Sequence, residues 1–447
     1  MKACPTCGRL FPQDAAFCPV DGQALKNATD VPVVADASDP RVGQLMCGRY
    51  QVRRVIADGG MGRVYEALDV QARASVALKV LHPEVAVDEV QLQRFKREFE
   101  VSKELPHHHI VDVRDFQPTH DGSYVLAMEL LYGEELRATL KREGVIAPAR
   151  VIRMLSQVAI GLDAAHAKKL VHRDLKPDNI YLCQAADGDT IKILDFGSVR
   201  DNTETAKKLT VMGTTIGSPY YMAPEQAQGL DSLDHRADVW ALAAIVYEAV
   251  TGQVPFNGPN GPSILLQILT KEPAAPSQAG AGKKYPVPPT LDRVMAHGLK
   301  KLPALRINSV GELADAVGQA YGLTGNHLDW AVAAQAALAA QIESRLPGLM
   351  TPEAPKKPDT VDDFFGESEA LGATVASAPP GFVPPTQASA PAGGPAVAPW
   401  QQPLASATSE EGLAVAGVPK PGLNWPVMAA VAVAALVLGV VLVLFLR

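Results

Sequence analysis

The sequence predicts an α+β protein of two lobes, and two patterns along the chain carry this prediction. Residues 48–140 alternate short runs of β-branched and aromatic residues with one helical stretch at 92–104. Residues 150–320 show mainly helical periodicity. The predicted strands lie at 50–56, 63–68, 75–81, 123–129, 180–182 and 191–194. A chain of 447 residues is long enough for this core and for appended segments.

The charge, the cysteine content and the start of the sequence limit the classes of function that the protein can have. The formal net charge of -7 gives no reason to expect binding to nucleic acid. Of the five cysteines, three lie close together near the N-terminus, so the set does not indicate a disulfide framework and suits a reducing compartment. The start of the sequence carries no apolar run, so no signal peptide is predicted.

Residues 1–24 have the spacing of a small zinc-ribbon-like module. Cys4 and Cys7 bracket a tight turn, and Cys18 begins a second turn of the same form, in which Asp21 stands where a fourth Cys is expected. Zn²⁺ accepts thiolates and carboxylates, so the sequence predicts a zinc site, while a metal-free or redox-active module stays open. Residues 25–47 are polar and are predicted to be a linker.

The sequence after the second lobe divides into three segments. Residues 326–345 are Ala-rich and predict a helix. Residues 346–424 are rich in Pro, Ala, Gly and Ser and predict a disordered linker. Residues 427–446 are apolar and uncharged, which is the length of a helix that crosses a bilayer. We therefore expect a single C-terminal transmembrane helix with essentially nothing beyond it.

The most specific signal is the string HRDLKPDN at residues 172–179, followed by DFG at residues 195–197. The first string contains an Asp that can orient a hydroxyl nucleophile, a Lys that can neutralise phosphate charge and an Asn that can bind Mg²⁺. The second string adds another Asp, whose oxygens suit the same hard cation. Any one of these residues alone could instead stabilise a turn or cap a helix. The two strings in this order supply the parts of a phosphoryl-transfer site.

Over roughly residues 48–320 the chain resembles the eukaryotic-like (Hanks-type) Ser/Thr protein kinases that also occur in bacteria. The resemblance implies the bilobal protein kinase fold, with a β-rich N-lobe and a helical C-lobe. It implies transfer of the ATP γ-phosphate to protein Ser/Thr hydroxyls, with Mg²⁺ or Mn²⁺ as cofactor. In this pattern Asp174 is the catalytic residue and Lys176 contacts the γ-phosphate, while Asn179 and Asp195 bind Mg²⁺.

The resemblance also implies a nucleotide pocket in the N-lobe. Lys79 contacts the α- and β-phosphates and is held by Glu98, with Glu100 and Glu104 as less favoured partners. The other pocket residues of the family pattern are Ile56, Ala57, Gly59, Gly60, Gly62, Val64, Ala77, Met128, Glu129, Leu131, Tyr181 and Leu194. Ala57 departs from the pattern, because Gly is usual there, and we expect a modest effect on nucleotide affinity.

The segment after residues 195–197 is predicted to regulate the enzyme. Thr210, Thr214 and Thr215 are its candidate autophosphorylation sites. By resemblance, a phosphate there orders the segment through Arg173, which precedes the catalytic Asp. A homodimer that phosphorylates itself in trans is compatible with this expectation.

The resemblance assigns structural roles to three more residues. Glu225 and Arg306 are expected to form a buried ion pair in the C-lobe, and Asp238 is expected to hold the backbone of the catalytic loop. None of the three is expected to contact the substrates.

Taken together, these patterns predict a kinase anchored in a bacterial inner membrane, with its catalytic domain in the cytoplasm. The competing interpretation is a membrane-tethered pseudokinase scaffold. Retention of Lys79, Asp174 and Asp195 argues for catalysis, whereas Ala57 is the departure that favours the scaffold. A third interpretation is a sensor, in which the cysteine module responds to metal or redox state and controls the kinase.

Overall fold

A computed structural model of the chain describes residues 1–350, apart from Gly8, Pro12, 20–21, 29–30, 32–38, 197–218 and 231–232. Several predictions fall outside the described residues: the zinc ligand Asp21, the phosphorylation sites Thr210, Thr214 and Thr215, most of the linker at 346–424, and the transmembrane helix at 427–446. Among the helices of the described part, none is long and apolar enough to cross a membrane.

The first elements form a small antiparallel sheet at the N-terminus. Within the described residues its strands are β1 (Lys2–Ala3), β2 (Leu10–Phe11) and β3 (Lys26–Asn27), in the order β2-β1-β3. The turn that joins β1 to β2 carries Cys4 and Cys7. Since β3 begins after residue 24, this sheet extends into the predicted linker.

The N-lobe contains a larger antiparallel sheet. Its elements are β4 (Leu45–Met46), β5 (Tyr50–Asp58), β6 (Gly62–Asp69), β7 (Ala74–Leu81), α1 (Pro83–Ala86), α2 (Glu89–Glu104), β8 (Val113–Pro118) and β9 (Tyr124–Glu129). The strand order is β4-β5-β6-β7-β9-β8. The predicted strands of this lobe correspond to β5, β6, β7 and β9. The sequence does not predict β4 and β8, the edge strands, because β4 is very short and β8 (VRDFQP) mixes charged residues with a terminal Pro.

Helix α2 lies against this sheet. Asp88 caps its N-terminus by accepting a hydrogen bond from the backbone N–H of Val90 at 2.9 Å. The residues that α2 buries are Phe95, Glu98 and Val101, which recur at a spacing of three and therefore share one face of the helix. This face turns the carboxylate of Glu98 towards β7.

The C-lobe follows a short connection from β9 and is mainly helical. Its elements are β10 (Gly133–Glu135), α3 (Leu136–Glu143), α4 (Pro148–Ala167), β11 (Ile180–Ala185), β12 (Gly188–Ile193), α5 (Pro224–Ala227), α6 (Arg236–Thr251), α7 (Gly261–Thr270), α8 (Pro276–Ala279), α9 (Thr290–Gly298), α10 (Val310–Ala320), α11 (His327–Val332) and α12 (Gln335–Leu349). Helices α4 and α6 are buried on almost every side, as the apolar composition of α6 leads one to expect. In the core, the ring of Trp240 stacks on that of Phe256 with centroids 5.6 Å apart.

The Ala-rich segment at 326–345 differs from its prediction as one helix. The structure breaks it into α11 and α12, because Ala333 has an extended backbone with φ -66° and ψ 144°. The carbonyl of Ala333 accepts a hydrogen bond from Nε of Arg153 in α4 at 2.9 Å. The N–H of Gln335 donates to the carbonyl of Asp187 at 3.1 Å. These bonds to the C-lobe outweigh the local helix propensity of alanine.

Candidate active site

An ion pair with a buried carboxylate and a partly buried lysine joins β7 to α2. The Nζ atom of Lys79 lies 2.9 Å from Oε2 of Glu98, and Glu98 is 4% exposed. Burial disfavours the charged form of Lys79, but the carboxylates of Glu98 and Asp195 outweigh that effect and raise its pKa. Burial, with the nearby Asp195, raises the pKa of Glu98 against the attraction of Lys79. The three charges therefore lie close together, and Lys79 remains an ammonium group at neutral pH.

The two alternative partners of Lys79 lie elsewhere on α2. Glu100 is 3.9 Å from both Lys96 and Arg97, its neighbours along the helix surface. Glu104 is exposed in the last turn of α2. The structure brings only Glu98 to Lys79 among these three carboxylates, all of which belong to the described part of the chain.

The loop between α4 and β11 holds the predicted catalytic group. Nζ of Lys176 lies 2.7 Å from Oδ2 of Asp174. The side-chain amide of Asn179 donates to the backbone carbonyl of Asp174 at 2.7 Å. Arg173 has a positive φ of 66°, a conformation that costs energy for a residue with a side chain. The loop is thus held in a strained shape that points Asp174, Lys176 and Asn179 to one region.

Asp238 at the start of α6 supports this strained loop. Its carboxylate is fully buried and accepts hydrogen bonds from the backbone N–H groups of His172 at 2.8 Å and Arg173 at 2.9 Å. It also lies 2.8 Å from Nε2 of His166. Burial alone favours the protonated form, but His166 and the backbone donors hold the pKa of Asp238 below its ordinary value. The charged carboxylate is therefore the form that fastens the loop.

Asn179 and Asp195 offer a donor set that fits Mg²⁺. The nitrogen of the Asn179 amide is used by the bond to Asp174, so its oxygen is the atom suited to a cation. Asp195 also has a positive φ, 58°, and its carboxylate is near enough to Lys79 and Glu98 to affect both pKa values. Carboxylate and amide oxygens are the ligands that this hard cation prefers.

The predicted nucleotide pocket is built around β5, β6, β7 and β9. Register pairs bring Ala57 opposite Val64, Val64 opposite Lys79, and Ala77 opposite Met128. The other residues predicted to line the pocket, Ile56, Leu131, Tyr181 and Leu194, are exposed or partly buried. Because cross-strand partners project to the same face, Val64, Ala77, Lys79 and Met128 share one face of the sheet.

Two backbone features constrain this pocket. A Cβ atom at Gly62 would lie 2.3 Å from the carbonyl oxygen of Val80, so only glycine fits at the end of the loop that contains Gly59 and Gly60. The N–H of Glu129 donates to the carbonyl of Asp112 at 2.9 Å. A contact between the backbone of Glu129 and a base must therefore come from its carbonyl.

Sequence reasoning missed two residues that connect the catalytic loop to the C-lobe. Arg137 in α3 lies 3.4 Å from Asp178 and 3.0 Å from Glu248. Gln226 in α5 donates from Nε2 to the carbonyl of Arg173 at 2.7 Å. Neither residue belongs to a recognisable string, and their partners are distant in sequence, so no local signal could have found them.

The C-lobe contains an ion pair in which both partners are buried. Arg306 binds Glu225 in a bidentate manner, with NH1 to Oε1 at 2.8 Å and NH2 to Oε2 at 3.0 Å. Both residues are at most 5% exposed, and the guanidinium lies 5.2 Å from the ring centre of Trp240. The pair holds α5 in place. Gln226, the residue after Glu225 in α5, donates the hydrogen bond to Arg173, so the ion pair is connected to the catalytic loop.

Three thiols form a compact cluster at the N-terminus. The Sγ atoms of Cys4, Cys7 and Cys18 all lie within 4.8 Å of one another, and those of Cys7 and Cys18 are 3.7 Å apart. The N–H of Cys7 points to Sγ of Cys4 at 3.4 Å. Burial and the adjacent thiols raise the pKa of Cys7 to about 11. A cation would reverse this preference, because thiolates are the form that binds metal.

Comparison with known proteins agrees with this geometry. Residues 50–316 match the family model described as the protein kinase domain. The serine/threonine-protein kinase pkn3 of Myxococcus xanthus is 36% identical over 272 residues, which is 60% of this chain and 49% of that protein. Serine/threonine-protein kinase PknD of Mycobacterium tuberculosis is 38% identical over 288 residues, 64% of this chain and 42% of that protein.

A solved structure shows the same fold. The crystal structure of the M. tuberculosis PknI kinase domain has 30% sequence identity and a TM-score of 0.50, and the match covers 63% of this chain and 99% of that one. The chain therefore belongs to the protein kinase domain family, and its bilobal β-rich and helical architecture is that of the family. It spans about half the length of the curated relatives named above.

Proposed function

We propose that the chain is a Ser/Thr protein kinase that transfers the γ-phosphate of ATP and uses Mg²⁺. One observation carries the proposal. The ion pair of Lys79 and Glu98 in the N-lobe lies beside Asp195, while Asp174 and Lys176 are held 2.7 Å apart in the adjoining loop. Ser/Thr protein kinases at 36% and 38% identity support it.

Each group has a role that follows from its position. Asp174 orients the hydroxyl of a Ser or Thr and accepts its proton, while the new oxygen–phosphorus bond forms and the bond to the bridging oxygen breaks. Lys176 and Lys79 neutralise the phosphate charges. Asn179 and Asp195 would hold Mg²⁺, which neutralises phosphate charge when bound.

Asp174→Asn tests this function. The variant keeps the size of the side chain but cannot accept the proton, so we expect transfer of radiolabelled γ-phosphate to fall by about 10²- to 10⁴-fold. The measurement uses the full chain in detergent, with Mg²⁺ or Mn²⁺ and a generic protein substrate. Nucleotide binding should persist, since Asp174 is not a residue of the predicted nucleotide pocket.

The matched control is Asp112→Asn, which removes a carboxylate that is 60% exposed and pairs with Arg114 at 3.0 Å. It should retain the wild-type rate. A wild-type chain that binds ATP but transfers no phosphate under any of these conditions would instead favour the pseudokinase scaffold.

The position of the incorporated label tests the proposed regulation. We expect it on Thr210, Thr214 or Thr215, with a second copy of the chain as the substrate if the reaction occurs in trans. Added charge of about -2 on one of these residues would order the segment through arginine contacts. Replacing all three with Ala should then depress activity, and unchanged activity would exclude this form of regulation.

We further propose that the kinase is anchored in the inner membrane with its catalytic domain in the cytoplasm. The support is the uncharged run at 427–446, which has the length required to cross a bilayer as a helix. The requirement for ATP supports the cytoplasmic orientation of the catalytic domain.

The cysteine cluster supports a zinc site. Three thiol sulfurs within 4.8 Å of one another, with one backbone N–H directed at a sulfur, suit a cation that binds thiolates tetrahedrally. Asp21, the proposed fourth ligand, follows Cys18 at the spacing seen between Cys4 and Cys7.

This site predicts about one zinc ion per chain. Replacing Cys4 and Cys7 together with Ser should abolish zinc binding, because sulfur is lost at two positions. Cys47→Ser removes a thiol outside the cluster and should leave the zinc content unchanged. Metal analysis after dialysis distinguishes these outcomes, and a wild-type chain without zinc would exclude the site.

A further inference from the structure

The N-terminal segment, which comprises the described residues among 1–31, packs against the N-lobe sheet on the face that carries the predicted nucleotide pocket. Leu68 of β6 is 3% exposed and belongs to an apolar cluster with residues of this segment: Ala3, Leu10, Ala28 and Val31. Val64, Glu66 and Leu68 are every second residue of β6, so their side chains project from the same face of the sheet. The register partners of the first two are Lys79 and Ala77. The segment therefore covers one end of the face whose other end holds Lys79.

Leu10 of β2 connects this segment to two parts of the N-lobe. Its N–H donates to Oε1 of Glu66 at 2.6 Å, and its carbonyl accepts from the hydroxyl of Tyr132 at 3.1 Å. Tyr132 follows Leu131, a predicted contact of the adenine, and precedes β10. Both backbone groups of one buried residue are thus bonded to side chains that adjoin the nucleotide pocket.

Charged residues that would otherwise face solvent are buried at this contact. Glu66 is 1% exposed and lies 2.6 Å from NH2 of Arg54. Arg53 is 5% exposed, and its NH1 donates to the carbonyl of Val31 at 2.8 Å. Buried charges need partners of good geometry, and here the backbone of the N-terminal segment supplies part of them. The contact is therefore specific to one docked position.

The cysteine cluster is joined directly to this contact. Leu10 is the register partner of Ala3, the residue before Cys4. The N–H of Cys4 donates to the carbonyl of Arg9 at 3.0 Å. A cation that holds Cys4 and Cys7 together fixes the turn between β1 and β2, and it thereby fixes the backbone groups of Leu10.

We propose that the N-terminal segment is an intramolecular regulator of nucleotide binding. Zinc at Cys4, Cys7 and Cys18 holds Leu10 within hydrogen-bonding distance of Glu66 and Tyr132. These two hydrogen bonds, called here the brace, position the residues that follow β9 to contact the adenine. Loss of zinc releases the brace and weakens nucleotide binding. The inference rests on the zinc site and the ATP pocket proposed above, and it adds the route that couples them.

The test measures binding of a fluorescent, non-hydrolysable ATP analogue with Mg²⁺ to the full chain in detergent. Binding is compared before and after zinc is removed with a chelator that is then dialysed away. We expect the Kd of the wild type to rise about 2- to 10-fold on zinc removal, the range for the loss of one hydrogen bond. Tyr132→Phe deletes only the hydroxyl that donates to Leu10, so it should retain zinc and lose this dependence.

Tyr124→Phe is the matched control, because it deletes a hydroxyl from a ring stacked on Phe116 in the same lobe, and it should retain the dependence on zinc.

An unchanged Kd in the wild type on zinc removal overturns the inference, as does full zinc dependence in Tyr132→Phe. If the wild type holds no zinc, the zinc site fails. The brace is then tested by the Kd of Tyr132→Phe alone, and a value equal to the wild type overturns it. Absence of analogue binding in every variant contradicts the proposed ATP pocket and overturns a regulator of it.

Discussion

Replacing Lys79 with Met lowers kcat/KM for phosphoryl transfer by about 10²- to 10³-fold, the loss expected when one preorganised donor is removed from a transition state. Strand β7 and helix α2 hold the ammonium group 2.9 Å from the buried carboxylate of Glu98, a position that no mobile surface lysine can take. Initial rates measured over a range of ATP concentrations check this result. Lys96→Met, which removes an ammonium that is 51% exposed on α2, should keep the wild-type value. Full activity in Lys79→Met would contradict the role assigned to this residue.

The same variant should alter the pH dependence of stability. Without the ammonium, burial and Asp195 hold the pKa of Glu98 further above its ordinary value. The folded chain then binds a proton that the unfolded chain releases, so the free energy of unfolding falls as pH rises between the unfolded and folded pKa values. Urea denaturation at several pH values measures this slope relative to wild type. Adding Glu98→Gln should remove it.

The catalytic groups can be proposed from sequence because their roles require fixed residue types at fixed spacing. Asp174, Lys176 and Asn179 occur within one short string, and the structure holds them in one loop. The strands β6 and β7 are equally visible, since their β-branched and apolar residues recur with the period of a strand. Local patterns are sufficient for features of this kind.

The docking of the N-terminal segment could not be predicted in the same way. Glu66 and Arg53 are charged residues of a kind that usually faces solvent in a strand. Both are nevertheless buried by a segment at least 22 positions away in sequence. The break between α11 and α12 has a similar origin, because Arg153 binds the carbonyl of Ala333 across 180 positions. In each case the deciding partner is remote, and no periodicity of the local sequence records it.

Replacing Arg306 with Met should lower the free energy of unfolding by about 3–5 kcal/mol, the usual cost of leaving one buried charge without its partner. Glu225 is 4% exposed and receives two bonds from the guanidinium, at 2.8 and 3.0 Å. Such a loss is a large part of the total stability of an ordinary domain, which is about 5–15 kcal/mol. Because Gln226 beside Glu225 binds the carbonyl of Arg173 at 2.7 Å, the catalytic loop should loosen as well. Urea unfolding and the initial rate measure the two effects.

A double variant separates lost attraction from unpaired charge. Arg306→Met with Glu225→Leu removes both charges, so it should recover much of the stability lost in the single variant, since a well-packed apolar pair can replace a buried ion pair. Arg142→Met is the surface comparison, because its guanidinium is 55% exposed and pairs with Glu134, and stability should hardly change. If Arg306→Met were as stable as wild type, the bidentate contact would not hold α5 in place. The link from this ion pair through Gln226 to the loop of Asp174 would then be excluded.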